Sequence, residues 1–187
     1  MFIQTEATPN PNTMKFLPGQ DVLADKTAFF TDSENAKASP LASALFVLPD
    51  IRAVFFGSDF ITVTKTEAST WEILKPQILT TVMEHYQSGL PLMGEEKPEK
   101  KETSHSYSAD EQEIVDQIIE LIETRVRPAV AQDGGDIVFH SFKEGIVKLE
   151  MHGACSGCPS STATLKSGIE NMLKHYVPEV ISVEAVV

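Results

Sequence analysis

Cysteine is scarce in this chain: two residues in 187, at Cys155 and Cys158, too few for a secreted disulfide framework. Basic residues are scarce too. Fifteen Lys plus Arg stand against 27 Asp plus Glu, a net charge of −12. That balance argues against nucleic acid and against an anionic membrane surface, because both repel the chain before any specific contact forms. Long apolar runs are missing. The longest patches, such as Ala53 to Phe56, are strand-sized and far short of the roughly 20 residues that cross a bilayer, so a soluble chain is expected. Met1 to Glu6 carry no basic n-region and no Arg-rich amphipathic pattern. Neither a signal nor a transit peptide is therefore expected, which fits a bacterial cytoplasm, or a mitochondrial matrix if the chain is a processed organellar one.

What is present is ordinary globular composition, with 42% hydrophobic residues and enough length for two small cores. The expected fold class is α+β: two small α+β domains, 1–90 and 109–187, joined by a flexible charged linker over 91–108. In the first, Phe2 to Thr5 and Lys15 to Leu17 are predicted hairpin strands across Thr8-Pro9-Asn10-Pro11-Asn12, whose prolines and asparagines suit a stiff turn better than a recognition loop. Ser39-Pro40 predicts a helix start, followed by Leu41, Ala44, Leu45 and Leu48 at helical spacing. Ile51 to Phe56 and Phe60 to Thr64 read as a second hairpin turned at Gly57-Ser58-Asp59. Leu74, Ile78, Val82 and Tyr86 then form a helical stripe ending at Gly89, with Pro76 admissible only in the first turn.

From Gly94 to Ser108 the chain holds four acids, three bases and little to bury, the composition of a solvated tether in which His105 is incidental. The second domain opens on a capping box, Ser108 with Glu111, followed by the apolar stripe Ile114, Val115, Ile118, Ile119 and Ile122. Arg125 and Arg127 complement the negative helix end before Pro128 kinks or restarts it. In Asp133-Gly134-Gly135-Asp136 the glycines suggest positive φ and the aspartates suggest turn chemistry, with too few carboxylates for a hard-cation loop. Ile137 to Phe142 and Ile146 to Met151 read as strands, Leu165, Ile169, Met172, Leu173 and Tyr176 as a helix face, and Val180 to Val186 as a last strand.

Both cysteines fall in Gly153-Ala154-Cys155-Ser156-Gly157-Cys158-Pro159, between a strand and a helix. With Pro159 in the first helical turn, Cys158 falls near the N-cap and Cys155 just ahead, where free N–H groups favour thiolates. A lowered thiol pKa serves metal ligation and nucleophilic attack equally. Three observations favour ligation. The pair lies late, after a hairpin, unlike a thioredoxin-type dithiol. No neighbouring Lys or His has an evident catalytic role, and His152 suits a hydrogen-bonding neighbour more than a ligand. Two chains about a two-fold axis would also assemble the four thiolates that a 4Fe-4S cluster requires. Zinc accepts the same four thiolates, so a 4Fe-4S cluster, a zinc-stabilised dimer, a thiol-disulfide oxidoreductase and a pair of inert structural cysteines all remain open on spacing alone.

The run from Asp133 to Asp136, with Gly153 to Ser161 and Thr164-Leu165-Lys166, resembles the NifU-like C-terminal domain of the Nfu iron-sulfur proteins, and Thr8 to Phe16 is similar to the Nfu N-terminal domain. The resemblance implies a scaffold or carrier, not an enzyme in the turnover sense and with no catalytic residue. It would bind a 4Fe-4S cluster between two subunits through Cys155 and Cys158 of each. It implies a homodimer when loaded, loading by upstream iron-sulfur assembly machinery, and delivery to apo-proteins such as aconitase or lipoate synthase. Target docking is the role expected of the N-terminal domain.

Overall fold

The structure, a computed structural model, describes residues 2–24, 26–94, 107–156 and 159–186, with the side chains of 159–161 left aside. The chain divides into two compact units, Met1–Glu99 and Lys100–Val187, each with its own sheet and helices.

In the first unit, β1 (Gln4–Ala7), β2 (Thr13–Leu17), β3 (Ala28–Phe30), β4 (Ile51–Phe56) and β5 (Ile61–Lys65) form an antiparallel sheet in the order β1-β2-β5-β4-β3. Alternation along the strands sends Phe16, Val54, Phe56, Ile61 and Val63 to one face, where they meet Leu41 and Leu45 of α1 (Pro40–Val47) and Leu74, Ile78 and Val82 of α2 (Trp71–Ser88). Ser39 caps α1 by accepting the Ala42 N–H at 3.1 Å. β3 is only three residues long and carries no readable alternation, which is why it is absent from the sequence reading.

Two expectations about α2 change. Pro76 stands six residues into the helix instead of in its first turn. The site is exposed, so the Glu72 carbonyl that loses its intrahelical donor can take one from water. The buried stripe also closes on His85, with Tyr86 half-buried beside it. The loop between β1 and β2 is held as turn chemistry predicts. The Thr8 hydroxyl lies 2.9 Å from both the Asn10 and Thr13 carbonyls, Asn10 Oδ1 accepts the Asn12 N–H, and Trp71 Nε1 reaches the Pro11 carbonyl.

The second unit runs α3 (Ala109–Leu121), a widened π-helical turn (Ile122–Val126), α4 (Arg127–Gln132), β6 (Gly135–Lys143), β7 (Ile146–Gly153), α5 (Pro159–Tyr176) and β8 (Ser182–Val186). β7 is central, antiparallel to β6 and parallel to β8. Val115, Ile118 and Ile122 pack with Ile137, Val147, Leu149, Ile169, Leu173 and Val183. Ser108 and Glu111 form the capping box, Glu111 Oε2 accepting the Ser108 N–H at 3.1 Å. The expected disturbance at Pro128 is the π-helical turn just ahead of it, where the Arg127 N–H reaches the Ile122 carbonyl five residues back. Pro128 has no N–H to continue the ordinary ladder. Tyr176, expected on the buried face of α5, is half exposed and takes Arg125, whose guanidinium carbon lies 4.7 Å from its ring centre.

Residues 95–106 of the expected linker, His105 among them, lie outside the described residues. The flanking segments are anchored within their own units: the Leu92 carbonyl accepts from Ser39 Oγ, the Gly94 N–H donates to the Ala38 carbonyl, and Tyr107 Oη accepts the Phe142 N–H.

Candidate functional site

The site forms where the start of β6 meets the end of β7. After α4 the chain must reverse sharply into the sheet, and Gly134 supplies the left-handed conformation, φ 81°, that the reversal needs. Gly135, the second glycine of the pair, has a different task. It opposes Gly153 in the ladder, and a Cβ placed on it would overlap Cys155 Sγ and stand 2.9 Å from the His152 carbonyl. The expectation of positive φ therefore applies to Gly134, while Gly135 is needed for close approach. Gly153, at φ 62°, turns the chain off β7.

Main-chain bonds then fold the cysteine segment back. The Ala154 N–H donates to the Gly134 carbonyl at 3.1 Å, the Cys155 N–H to His152 at 3.3 Å, and the Ser156 N–H to Gly153 at 3.1 Å. Thr162, in α5, donates its hydroxyl to the Cys155 carbonyl. α5 begins at Pro159 as predicted. Cys158 and Gly157 lie outside the described residues, so the expected N-cap position of Cys158 does too.

Cys155 is buried, and the expectation of a thiolate is overturned for this thiol standing alone. Burial pushes it up to about 12, and the carboxylates of Asp133 and Asp136 push the same way. Desolvation penalises the anion relative to the neutral thiol. Among the described residues no three His, Cys, Asp or Glu side chains are placed to hold a metal ion.

Behind the cysteine lies an ion pair that sequence reasoning missed. Asp136, expected as turn chemistry, is 3% exposed on β6 and takes both arms of Arg127, at 2.7 and 2.8 Å. Arg127 also reaches both Glu123 oxygens, so it serves two carboxylates, and it stands at the start of α4 where a helix end was expected. The signal available in sequence was an Arg-Pro pair a few residues before Asp-Gly-Gly-Asp. Beside this pair, Glu150 lies 3.4 Å from His152 Nε2 and 3.8 Å from His140 Nδ1. Burial lowers the His152 pKa against the pull of Glu150. His152 thus stands as a neighbour of the Glu150 carboxylate.

Residues 3–89 match the family described as Scaffold protein Nfu/NifU N terminal, and residues 118–184 match the NifU-like domain. The chain belongs to the Nfu family. Relatives of this Nfu chain are similar along its whole length. It is 50% identical over 187 residues to the human NFU1 iron-sulfur cluster scaffold homolog, mitochondrial, covering 100% of this chain and 72% of the relative. It is 53% identical to NifU-like protein 5, mitochondrial, of Arabidopsis thaliana, over 98% of this chain and 67% of the relative. The Drosophila persimilis NFU1 iron-sulfur cluster scaffold homolog, mitochondrial, is 50% identical over all of this chain and 65% of its own length. This Nfu chain thus spans about two thirds of the length of such relatives.

Proposed function

We propose that this Nfu chain is an iron-sulfur cluster scaffold and carrier. Cys155 and Cys158 of one protomer, with the same pair from a second, hold a 4Fe-4S cluster as cargo and release it to apo-proteins. The observation that carries the reading is the seat of Cys155: a thiol pressed against Gly135, where no side chain would fit, inside the stretch that matches the NifU-like domain. Cargo shared between two copies has few bonds per chain and stays able to leave.

Burial favours ligation over nucleophilic attack at Cys155 itself, because an attacking sulfur must be a thiolate and burial works against one there. A metal ion brings the positive charge that deprotonates a coordinating thiol outright. Gly135 gives the bulky cargo backbone in place of a side chain, and the Arg127–Asp136 pair holds that backbone down.

The N-terminal unit, 1–90, is proposed to dock targets, 91–108 to tether, and 109–187 to carry the cargo. By the family resemblance, the partners are upstream iron-sulfur assembly machinery and apo-proteins of the aconitase or lipoate synthase kind. The human and Drosophila relatives are named as scaffolds, which favours a carrier over an enzyme, and all three are named as mitochondrial, which favours the organellar alternative over a bacterial cytoplasm.

Anaerobic reconstitution tests the reading and is expected to yield about four irons and four sulfides per dimer. Iron uptake that survives Cys155→Ala or Cys158→Ala would overturn it. Zinc that resists chelation, with loss of fold on its removal, would establish the zinc-stabilised dimer instead. Insulin reduction by the metal-free protein would establish the oxidoreductase. Transfer is read as activation of an apo-enzyme by loaded protein in the presence of a chelator trap.

A further inference from the structure

Three elements fix Cys155 from three directions. Its sulfur lies against Gly135 of β6, its N–H donates to the His152 carbonyl near the end of β7, and its own carbonyl accepts from Thr162 Oγ1 of α5 at 3.1 Å. The first two contacts use only backbone on the partner side. The third depends on one side chain, and it is unusual in direction. A helical Thr ordinarily turns its hydroxyl to a carbonyl three or four residues back, as Thr80, Thr81 and Thr124 do here. Thr162 reaches seven back, out of its own helix, and so ties α5 to the segment that bears the sulfur.

We propose that Thr162 is a positioning residue: its bond to the Cys155 carbonyl holds Cys155 against the sheet and sets how readily its sulfur becomes accessible. The sheet-side contacts remain when the hydroxyl is removed, so the segment keeps its place but loses its fastening to α5. Opening then becomes easier by about the five-fold factor that one net hydrogen bond supplies. Resting on the carrier reading, the same bond slows cargo loss by holding the backbone that carries one ligating sulfur.

The test uses the full-length chain with Cys158→Ser, so that a single thiol reports. In the metal-free protein, alkylation of Cys155 by iodoacetamide reads segment opening directly. Thr162→Val, which keeps the shape and removes the hydroxyl, is expected to raise the alkylation rate about five-fold, and Thr162→Ser to restore it to within about two-fold of the parent. Equal rates in the Thr162→Val variant and the parent would overturn the proposal. Should the Val variant lose the parent's far-ultraviolet circular dichroism, Thr162→Ala takes its place under the same criteria. With both cysteines present, anaerobically loaded protein is then challenged with a chelator. Thr162→Val is expected to lose cargo several-fold faster, with Thr162→Ser restored, and unchanged loss would overturn the link to release. A parent that never loads would sink the carrier reading, while the alkylation arm still decides whether Thr162 positions Cys155.

Discussion

Arg127 grips Asp136 through two parallel bonds, Nε to Oδ1 and Nη2 to Oδ2, and Asp136 Oδ1 turns as well to its neighbour's Ile137 N–H at 2.8 Å. The pair joins the first residue of α4 to the strand whose own first residue, Gly135, backs the cysteine. A bidentate pair with one partner buried and the other two-thirds buried lies between the exposed and the fully buried cases. Asp136→Asn is expected to cost about 2 kcal/mol, because it leaves a guanidinium half-paired beside a low-dielectric site. The combined Arg127→Met, Asp136→Leu protein is expected to lose less than Asp136→Asn alone. Urea unfolding of the three proteins checks both statements.

Two glycines give opposite expectations for the same substitution. At Gly135 an added methyl meets the Cys155 sulfur and backbone, so Gly135→Ala should destabilise by about 1 to 3 kcal/mol and impair loading with iron. Gly168, within α5, has nothing within 4 Å of the position its Cβ would take. Gly168→Ala should therefore stabilise by about 0.5 to 1 kcal/mol through helix propensity. Thermal unfolding with opposite shifts for the two proteins is the expected result.

Glu170 links α5 to the last strand. Its carboxylate accepts the Val183 N–H at 3.0 Å and pairs with Lys174 at 2.7 Å, and these two contacts lower its pKa from the ordinary 4.5. Folding thus favours the ionised form. The stabilisation is complete above the unfolded pKa and is lost as pH falls through the lower folded one. Glu170→Gln, unable to ionise, should shrink the drop in melting temperature between about pH 5 and pH 3. A drop as large as the parent's would show that the contacts to Lys174 and Val183 contribute nothing to acid sensitivity.

Pro76 interrupts α2 where its missing bond faces solvent. Pro76→Ala restores the N–H to the Glu72 carbonyl without touching the buried stripe of Leu74, Ile78 and Val82. The variant is expected to be more stable by at least about 1 kcal/mol in chemical denaturation, below the full helix penalty because proline also restrains the unfolded chain.

Most elements were legible because they depend on local chemistry. Ser39-Pro40, Ser108 with Glu111, the alternation of Val147, Leu149 and Met151, and the spacing of Leu74, Ile78 and Val82 each carry their own start signal or period. β3 was not legible, since three residues show no period, and neither was the choice of His85 over Tyr86 as the last buried residue of α2. Helical spacing admits both, and packing selects one.

By itself the sequence determined two α+β units, two cysteines three positions apart between a strand and a helix, and the Nfu resemblance that the family matches then established. Only the tertiary structure decided the environment of Cys155. Its burial, the glycine at its back, the carboxylates that oppose its ionisation and the threonine that holds its carbonyl come from β6, β7, α4 and α5 together. Local spacing predicted a thiolate from the nearby helix start. Desolvation, which depends on everything packed around the sulfur, reversed it.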